Sequence, residues 1–524
     1  MAEKIPRDVK ITSEARKPEW DPTLGEKVTP RWKSKHKPTH RLVTIGDSLT
    51  HGFQSGSVFH TDISYPAIIA YELGWLGQFR YPTYDGFGGL PLNIELLLRE
   101  LERSSGRTMD WWDVPLALYR GRQFMDQVED YWERGPGSSD PSLTAIMHNL
   151  SVYGWDLRDA LEVNAASCRT NLKQPKDDWL KQAVENSSER AALRVYPATD
   201  ANANMTLFDA AAALGNETNG GDAGIETLVV FLGANNALGS VVSLNVAWSD
   251  TGYDHLDTKG KYTVWRPDHF KSELAQVEAE IRKIKARHVI WCTVPHVTIV
   301  PLARGVHTKI APKSRYYRYY TRPWITDDQF DPTRDPHITA DEARAVDCAI
   351  DQYNDAITDV VRAARTDKND PRDWYLFDTA GLLDRLAQRR YIEDPLAQPS
   401  WWKPYALPAE LGACTPPLNS KFISSDGSHR DAGGLFSLDG VHPTTVAYGI
   451  LAQELINVMR IAGVEFRTPN GDLRPDPVLV DFNRLIRRDT LINTPPAVVD
   501  SSLSIISWAD EALDVIRRTL TFAV

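Results

Sequence analysis

Five short apolar runs punctuate the chain, near residues 41–46, 143–149, 226–232, 287–293 and 373–378, and amphipathic segments separate several of them. The clearest such segment runs from about 270 to 286, with Phe270, Leu274, Val277, Ile281 and Ile284 at alternating steps of four and three. A second, about 340–365, repeats that spacing through Val346, Ile350, Tyr353 and Ile357. Steps of this kind line up side chains on one face of a helix. Strands that alternate with helices are joined by crossovers, and crossovers give a parallel sheet covered on both faces. The expectation is an α/β fold with a parallel five-stranded sheet.

The intervals between those strands are long. Residues 55–140 precede the second, 165–225 the third and 296–340 the fifth. Structureless loops of that length are uncommon in compact domains, so these read as insertions that build lids or substrate walls. One of them, RGVHTKIAPKSRYYRYYTRPW (304–324), is basic and aromatic together. It has two readings, recognition of an anionic or carbohydrate group and an Arg/Tyr-faced structural hairpin. The glycine-rich FGGLP (87–91) reads as a loop entering a helix whose Ile94, Leu97, Leu98 and Leu101 form a core stripe. Residues 1–40 read as an extended N-terminal arm, 41–460 as the main domain with its insertions, and 461–524 as a C-terminal extension. The extension ends in SIISWADEALDVIRRTLTFAV, whose apolar face is expected to pack on the domain, cover the site or join another copy.

The first apolar run carries the first chemical signal. RLVTIGDSLTHGFQ (41–54) passes from Leu42, Val43 and Ile45 into a glycine-bracketed turn that presents Ser48. Ligands bind outside the carboxyl ends of strands in open α/β sheets. A lone serine there is also a common helix N-cap. Three later segments bear on the choice. LTAIMHNLSVYGWDLRD (143–159) supplies Gly154, with Asn149 upstream, and IETLVVFLGANNALG (225–239) supplies Asn235. LFSLDGVHPTTVAYGILAQELI (435–456) supplies Asp439 and His442 just before a helix whose buried face is marked by Val446, Ile450, Leu451 and Leu455.

In this order the four segments resemble the blocks of the GDSL, or SGNH, hydrolases, over roughly residues 41–460. The resemblance implies a flavodoxin-like three-layer α/β/α sandwich and a serine esterase or lipase that cleaves carboxylic esters through an acyl-serine. It implies Ser48 as nucleophile, His442 as the base and Asp439 as its orienting partner. The oxyanion hole would come from the backbone N–H groups of Ser48 and Gly154 and the side-chain amide of Asn235. No metal and no organic cofactor is implied. The chemistry accounts for these residue types: a serine hydroxyl needs a base within hydrogen-bond reach, and the tetrahedral intermediate needs preorganised donors. Two other readings stay open, a non-catalytic binding protein on the same scaffold and an acyltransferase using the same triad.

A second Asp-Gly-x-His, Asp426 and His429, lies in the polar, glycine-rich SSDGSHRDAGG and reads as a loop. Two positions depart from the family pattern: Asn236 follows Asn235 where Asp is usual, and Asp156 stands where a small hydroxylic residue is usual. A carboxylate beside an oxyanion hole opposes the developing charge, so Asp156 is expected to point away or be paired, with Arg158 as candidate partner. There is no Gly-x-Ser-x-Gly elbow, Walker loop, His-Glu-x-x-His or Cys-x-x-Cys in the chain.

A net charge of −11 disfavours nonspecific binding to nucleic acid and to anionic membrane surfaces. No apolar stretch approaches the roughly 20 residues of a membrane helix. The N-terminus lacks the apolar core of a signal peptide, and the four cysteines do not suggest a disulfide scaffold; both favour a cytoplasmic setting. The expected partner is a small-molecule, lipid or carbohydrate ester.

Overall fold

The computed structural model describes residues 5–28, 31, 38–106, 114–172, 184–218, 222–425, 429–468 and 470–496. Asp426 and the amphipathic segment at 504–524 lie outside the described residues.

At the centre is an all-parallel sheet of five strands: β1 (Pro38–Gly46), β2 (Asn149–Ser151), β3 (Asp222–Phe231), β4 (Ala286–Cys292) and β5 (Asp373–Phe377). They lie side by side in the order β5-β4-β3-β1-β2. β1 therefore sits between β2 and β3, paired from Thr44–Asn149 to Gly46–Ser151 on one side and from Leu42–Thr227 to Gly46–Phe231 on the other. The chain reverses its direction of progress across the sheet at this strand, and such a switch point opens a crevice at the strands' carboxyl ends. Every residue from Gly224 to Phe231 is buried. Successive strand side chains point to opposite faces, so the sheet is covered on both.

The second strand is later and shorter than the apolar run at 143–149. The Met147 backbone N–H donates to the Val195 carbonyl, and the His148 N–H to the Arg80 carbonyl. Both carbonyls belong to inserted segments, which take the place of a neighbouring strand there.

The helices that position the site are α1 (Ser48–His51), α2 (Tyr65–Glu72), α3 (Ile94–Ser105), α4 (Leu157–Glu162), α5 (Leu207–Asn216), α6 (Asn235–Val242), α7 (Pro267–Ile281), α8 (Ala340–Thr366), α9 (Thr379–Leu386) and α10 (Thr445–Ile461). Their starts are written locally. Pro267 sits in the first turn of α7, where its missing N–H costs nothing. Thr339 and Glu342 form a reciprocal capping box on α8, and Thr206 and Asp209 do the same on α5. α7 packs between α4 and α8, and α10 packs on α2. α7 ends at Ile281, short of the expected 286, because the chain must turn into β4; Ile284 is still fully buried.

The basic-aromatic run forms an antiparallel hairpin, Arg304–Lys309 with Tyr317–Thr321, extended by Ile338–Thr339. The N-terminal arm runs along β5, at the edge of the sheet. Arg16 pairs with Asp378 (2.9 Å) and Asp355 (3.0 Å), and the Leu376 N–H donates to the Pro22 carbonyl (3.0 Å). The arm thus covers part of an edge whose open ladder would otherwise invite another chain. After α10 the chain folds back, and the buried Asp489 carboxylate accepts the Val446 N–H in the first turn of α10 (2.9 Å). No described helix is long and apolar enough to cross a membrane.

Candidate active site

The site grows from the end of β1. A Cβ at Gly46 would run into the Thr50 side chain and lie 2.9 Å from the Phe231 carbonyl, so only glycine lets the strand turn directly into α1. Asp47 Oδ1 accepts the Leu49 N–H (3.1 Å) and caps that turn. Ser48 is thus held at the start of α1, at the switch point of the sheet.

The histidine that meets Ser48 arrives from the other end of the chain. Thr444 caps α10 and fixes the loop before it, which carries Asp439 and His442. His442 Nε2 lies 2.9 Å from Ser48 Oγ, and its Nδ1 lies 3.1 Å from Asp439 Oδ2. This arrangement fits a tautomer in which Nδ1–H donates to the carboxylate and Nε2 accepts the serine hydroxyl. The Phe53 ring packs on the imidazole at 4.5 Å between centroids. Asp439 is buried and well supplied with donors. Its Oδ1 accepts the N–H groups of Val441 (2.9 Å) and His442 (2.8 Å), and its Oδ2 that of Gly56 (3.0 Å). Burial would raise this carboxyl, but His442 and these hydrogen bonds outweigh burial and hold it below the usual carboxylate range. The neighbouring Asp47 differs: burial pushes it up to about 7, opposed by the Leu49 N–H and His442. The rival histidine, His429, is exposed.

The two remaining candidates follow the adjacent strands. Gly154, just after β2, has φ of +80°, which an L side chain rarely adopts. Asn235 opens α6 after β3, and its Nδ2 donates to the Trp155 carbonyl (2.8 Å), tying it to the Gly154 loop. An amide carries two N–H groups, so one remains for a ligand. Asn236 Oδ1 accepts the Leu157 N–H (3.4 Å), so the departure at 236 also stitches this loop to α4.

Asp156 is paired, but not by Arg158. Its Oδ1 caps α4 through the Arg158 and Asp159 N–H groups, and its Oδ2 accepts from Lys259 Nζ at 2.7 Å. Arg158 turns instead to Glu162 (2.8 Å) and Glu273. Lys259 was not legible as part of this site: it comes from the short helix Leu256–Lys259 in the β3–β4 connection, 103 residues away.

Ser48 and His442 open onto a cavity of about 100 Å³. Its walls are apolar side chains from four places: Phe231 and Leu238 after β3, Val297 and Val300 after β4, Leu382, Leu383 and Leu386 on α9, and Leu435, Phe436, Ile450 and Leu451 around α10. Beside Ser48 and His442 the polar lining is Thr379 and His296, and the imidazole of His296 is engaged behind the wall: Nε2 lies 3.0 Å from Asp351 and Nδ1 3.2 Å from Asp384. Burial would lower this imidazole, but the two carboxylates raise it to about 10.

A hydroxyl, an imidazole and a carboxylate in series can move a proton off the hydroxyl and return it to a leaving group. Among the described residues, no group of three or more His, Cys, Asp or Glu side chains is placed to hold a metal ion. No family model matches the chain, and no curated protein resembles it closely enough to match.

Proposed function

We propose that the protein is a serine hydrolase of the GDSL/SGNH type that cleaves carboxylic esters with an apolar acyl chain. The observation that carries this reading is the continuous relay from Ser48 Oγ through His442 to Asp439, opening on an apolar cavity. The strand order 2-1-3-4-5, with Ser48 at the switch point, fits the flavodoxin-like sandwich of that family.

In this mechanism the acyl chain lies in the apolar cavity with its carbonyl carbon over Ser48 Oγ. His442 Nε2 takes the hydroxyl proton as Oγ attacks, and Asp439 stabilises the imidazolium. The oxyanion is met by the N–H groups of Ser48 and Gly154 and by the Asn235 amide. Losing one such donor costs on the order of 10²–10³ in turnover. The imidazolium then gives its proton to the departing alcohol, leaving acyl-Ser48. Water, deprotonated by His442, releases the acid.

Hydrolysis of p-nitrophenyl acetate and octanoate by the wild type and Ser48→Ala tests the reading. The expected result is activity that favours octanoate and falls by about 10⁴ or more in the variant. Equal activity in Ser48→Ala, or none in the folded wild type against any chain length, counts against it.

A further inference from the structure

On the far side of the wall that bounds the apolar cavity lies a second cavity, of about 80 Å³. The two share Val300 and are built on the same two segments: the turn Val297–Ile299, and the end of α9 with the residues that follow it. Its outer wall is the hairpin that carries the basic-aromatic run.

Its chemistry is the reverse of its neighbour's. Arg304, Arg315, Arg389, Arg390 and Lys421 line it, and no carboxylate does. Three of these cations have acidic partners set back from the lining: Arg304 with Asp327 (2.8 Å), Arg390 with Asp347 (2.9 Å) and Lys421 with Glu393 (2.6 Å). Arg315 is buried, donates to the Tyr316 hydroxyl (2.9 Å), and its charge faces Asp347 and Asp351. Arg389 has no carboxylate in ion-pair contact among the described residues. Its Nη2 donates to the Gly305 carbonyl (2.9 Å) and its guanidinium lies over the Tyr317 ring (5.2 Å). The buried Nε atoms of Arg389 and Arg304 have no hydrogen-bond partner.

Like charges gathered in a partly buried space repel one another more strongly than in water. Lys309, beside the cavity, registers this. Burial and the charges of Arg390 and Arg389 hold its ammonium below the usual range even though Asp394 is only 2.7 Å away. A multiply charged anion relieves such a cluster, and guanidinium forks match phosphate and carboxylate oxygens. A single carboxylate would be satisfied by one fork. Here guanidinium groups converge from three separate segments, at 304, 315 and 389–390, which suits a tetrahedral group. The room is sufficient, since one water needs only roughly 10–15 Å³.

We propose that this cavity is a binding site for a phosphoryl dianion, either free or as the head of a small phosphate monoester. The aromatic and proline lining, Tyr317, Tyr320, Phe422, Pro301 and Pro323, supplies walls for the carbon part of a monoester. The site stands apart from Ser48, so it is tested by binding rather than by turnover.

The experiment is a calorimetric titration of the full chain with inorganic phosphate in a chloride buffer. Saturable one-to-one binding is expected, about tenfold weaker in Arg389→Met. Arg389→Lys, which keeps the charge but loses the fork, should fall between the two. Arg362→Met, which removes an exposed arginine of α8, should bind as the wild type does. Glycerol 3-phosphate then separates the sources: tighter binding than phosphate assigns a monoester, and weaker binding the free ion. No saturable binding to the folded wild type overturns the proposal, as does equal affinity in Arg389→Met or equal weakening in Arg362→Met.

Discussion

Lys259 Nζ lies 2.7 Å from Asp156 Oδ2 and 2.8 Å from Asp159 Oδ2, so a single buried ammonium bridges both carboxylates at the start of the helix that follows Gly154. Burial and the Asp156 charge push Asp159 up, and Lys259 opposes them. Replacing Lys259 by Met leaves two unpaired acids, and breaking a buried pair costs about 3–5 kcal/mol. The expected outcome is a loss of stability that is larger at pH 8 than at pH 5, where a carboxyl can take a proton. Turnover of p-nitrophenyl octanoate should fall with it, because the Gly154 loop loses its anchor. Denaturant melts at the two pH values check the first point; an equal loss at both would refute it.

Asp47 offers a second pH signature. Burial raises it to about 7 in the folded chain, against about 3.9 when unfolded. Between those values the folded state holds an extra proton, so this group's contribution to stability falls as pH rises from about 4 to about 7 and is level beyond. Asp47→Asn removes that slope. Its stability relative to the wild type should therefore be more favourable at pH 8 than at pH 5, by about 3 kcal/mol. A pH-independent difference would show that the carboxyl is not held neutral.

The buried pair His40 and His148, with Nδ1 2.9 Å from Nε2, acts in the opposite direction. Burial, joined by Arg80, pushes His148 to about 2 and His40 to about 4. Both stay neutral in the folded state while unfolded histidine takes a proton near 6.5. Their contribution is complete above about pH 6.5 and is lost as pH falls below it. His148→Phe leaves the Arg80 N–H without its acceptor (2.8 Å) and should cost about 1–3 kcal/mol at pH 7. That cost should shrink at pH 4.5. A cost that grows on acidification would contradict the neutral pair.

Leu386 stands on the wall of the apolar cavity and is only partly buried. Leu386→Trp should shorten the space for an acyl chain. Octanoate hydrolysis is expected to drop about tenfold relative to acetate, since a few methylenes in an apolar pocket carry roughly that discrimination. An unchanged ratio would place the acyl chain elsewhere.

The parts of this site that were legible in the sequence are those written into short stretches. Asp439 and His442 are three residues apart in one loop, and Ser48 is set by the glycine and strand around it, so local pattern suffices. What sequence did not disclose is long-range. Lys259 carries no motif and matters only because the connection between β3 and β4 brings it to Asp156. Arg158, two residues from Asp156, was the natural partner by proximity, yet the helix that Asp156 caps directs its side chain toward Glu273. The apolar run at 143–149 has strand composition, but its backbone groups are taken by Arg80 and Val195. The cavity walls come from four separated segments, and no window of sequence contains them together.

Ser48 and His442 are 394 positions apart in the chain, yet only 2.9 Å separates Oγ from Nε2. Closing so long a loop is expected to come late in folding, because the chain entropy it removes is returned only when the distant contacts form. Helices and the first strand pairs can be complete while Ser48 and His442 are still strangers. On the proposed function, regain of ester hydrolysis after dilution from denaturant would be a clock for the docking of α10 against β1, ticking behind the clock of secondary structure.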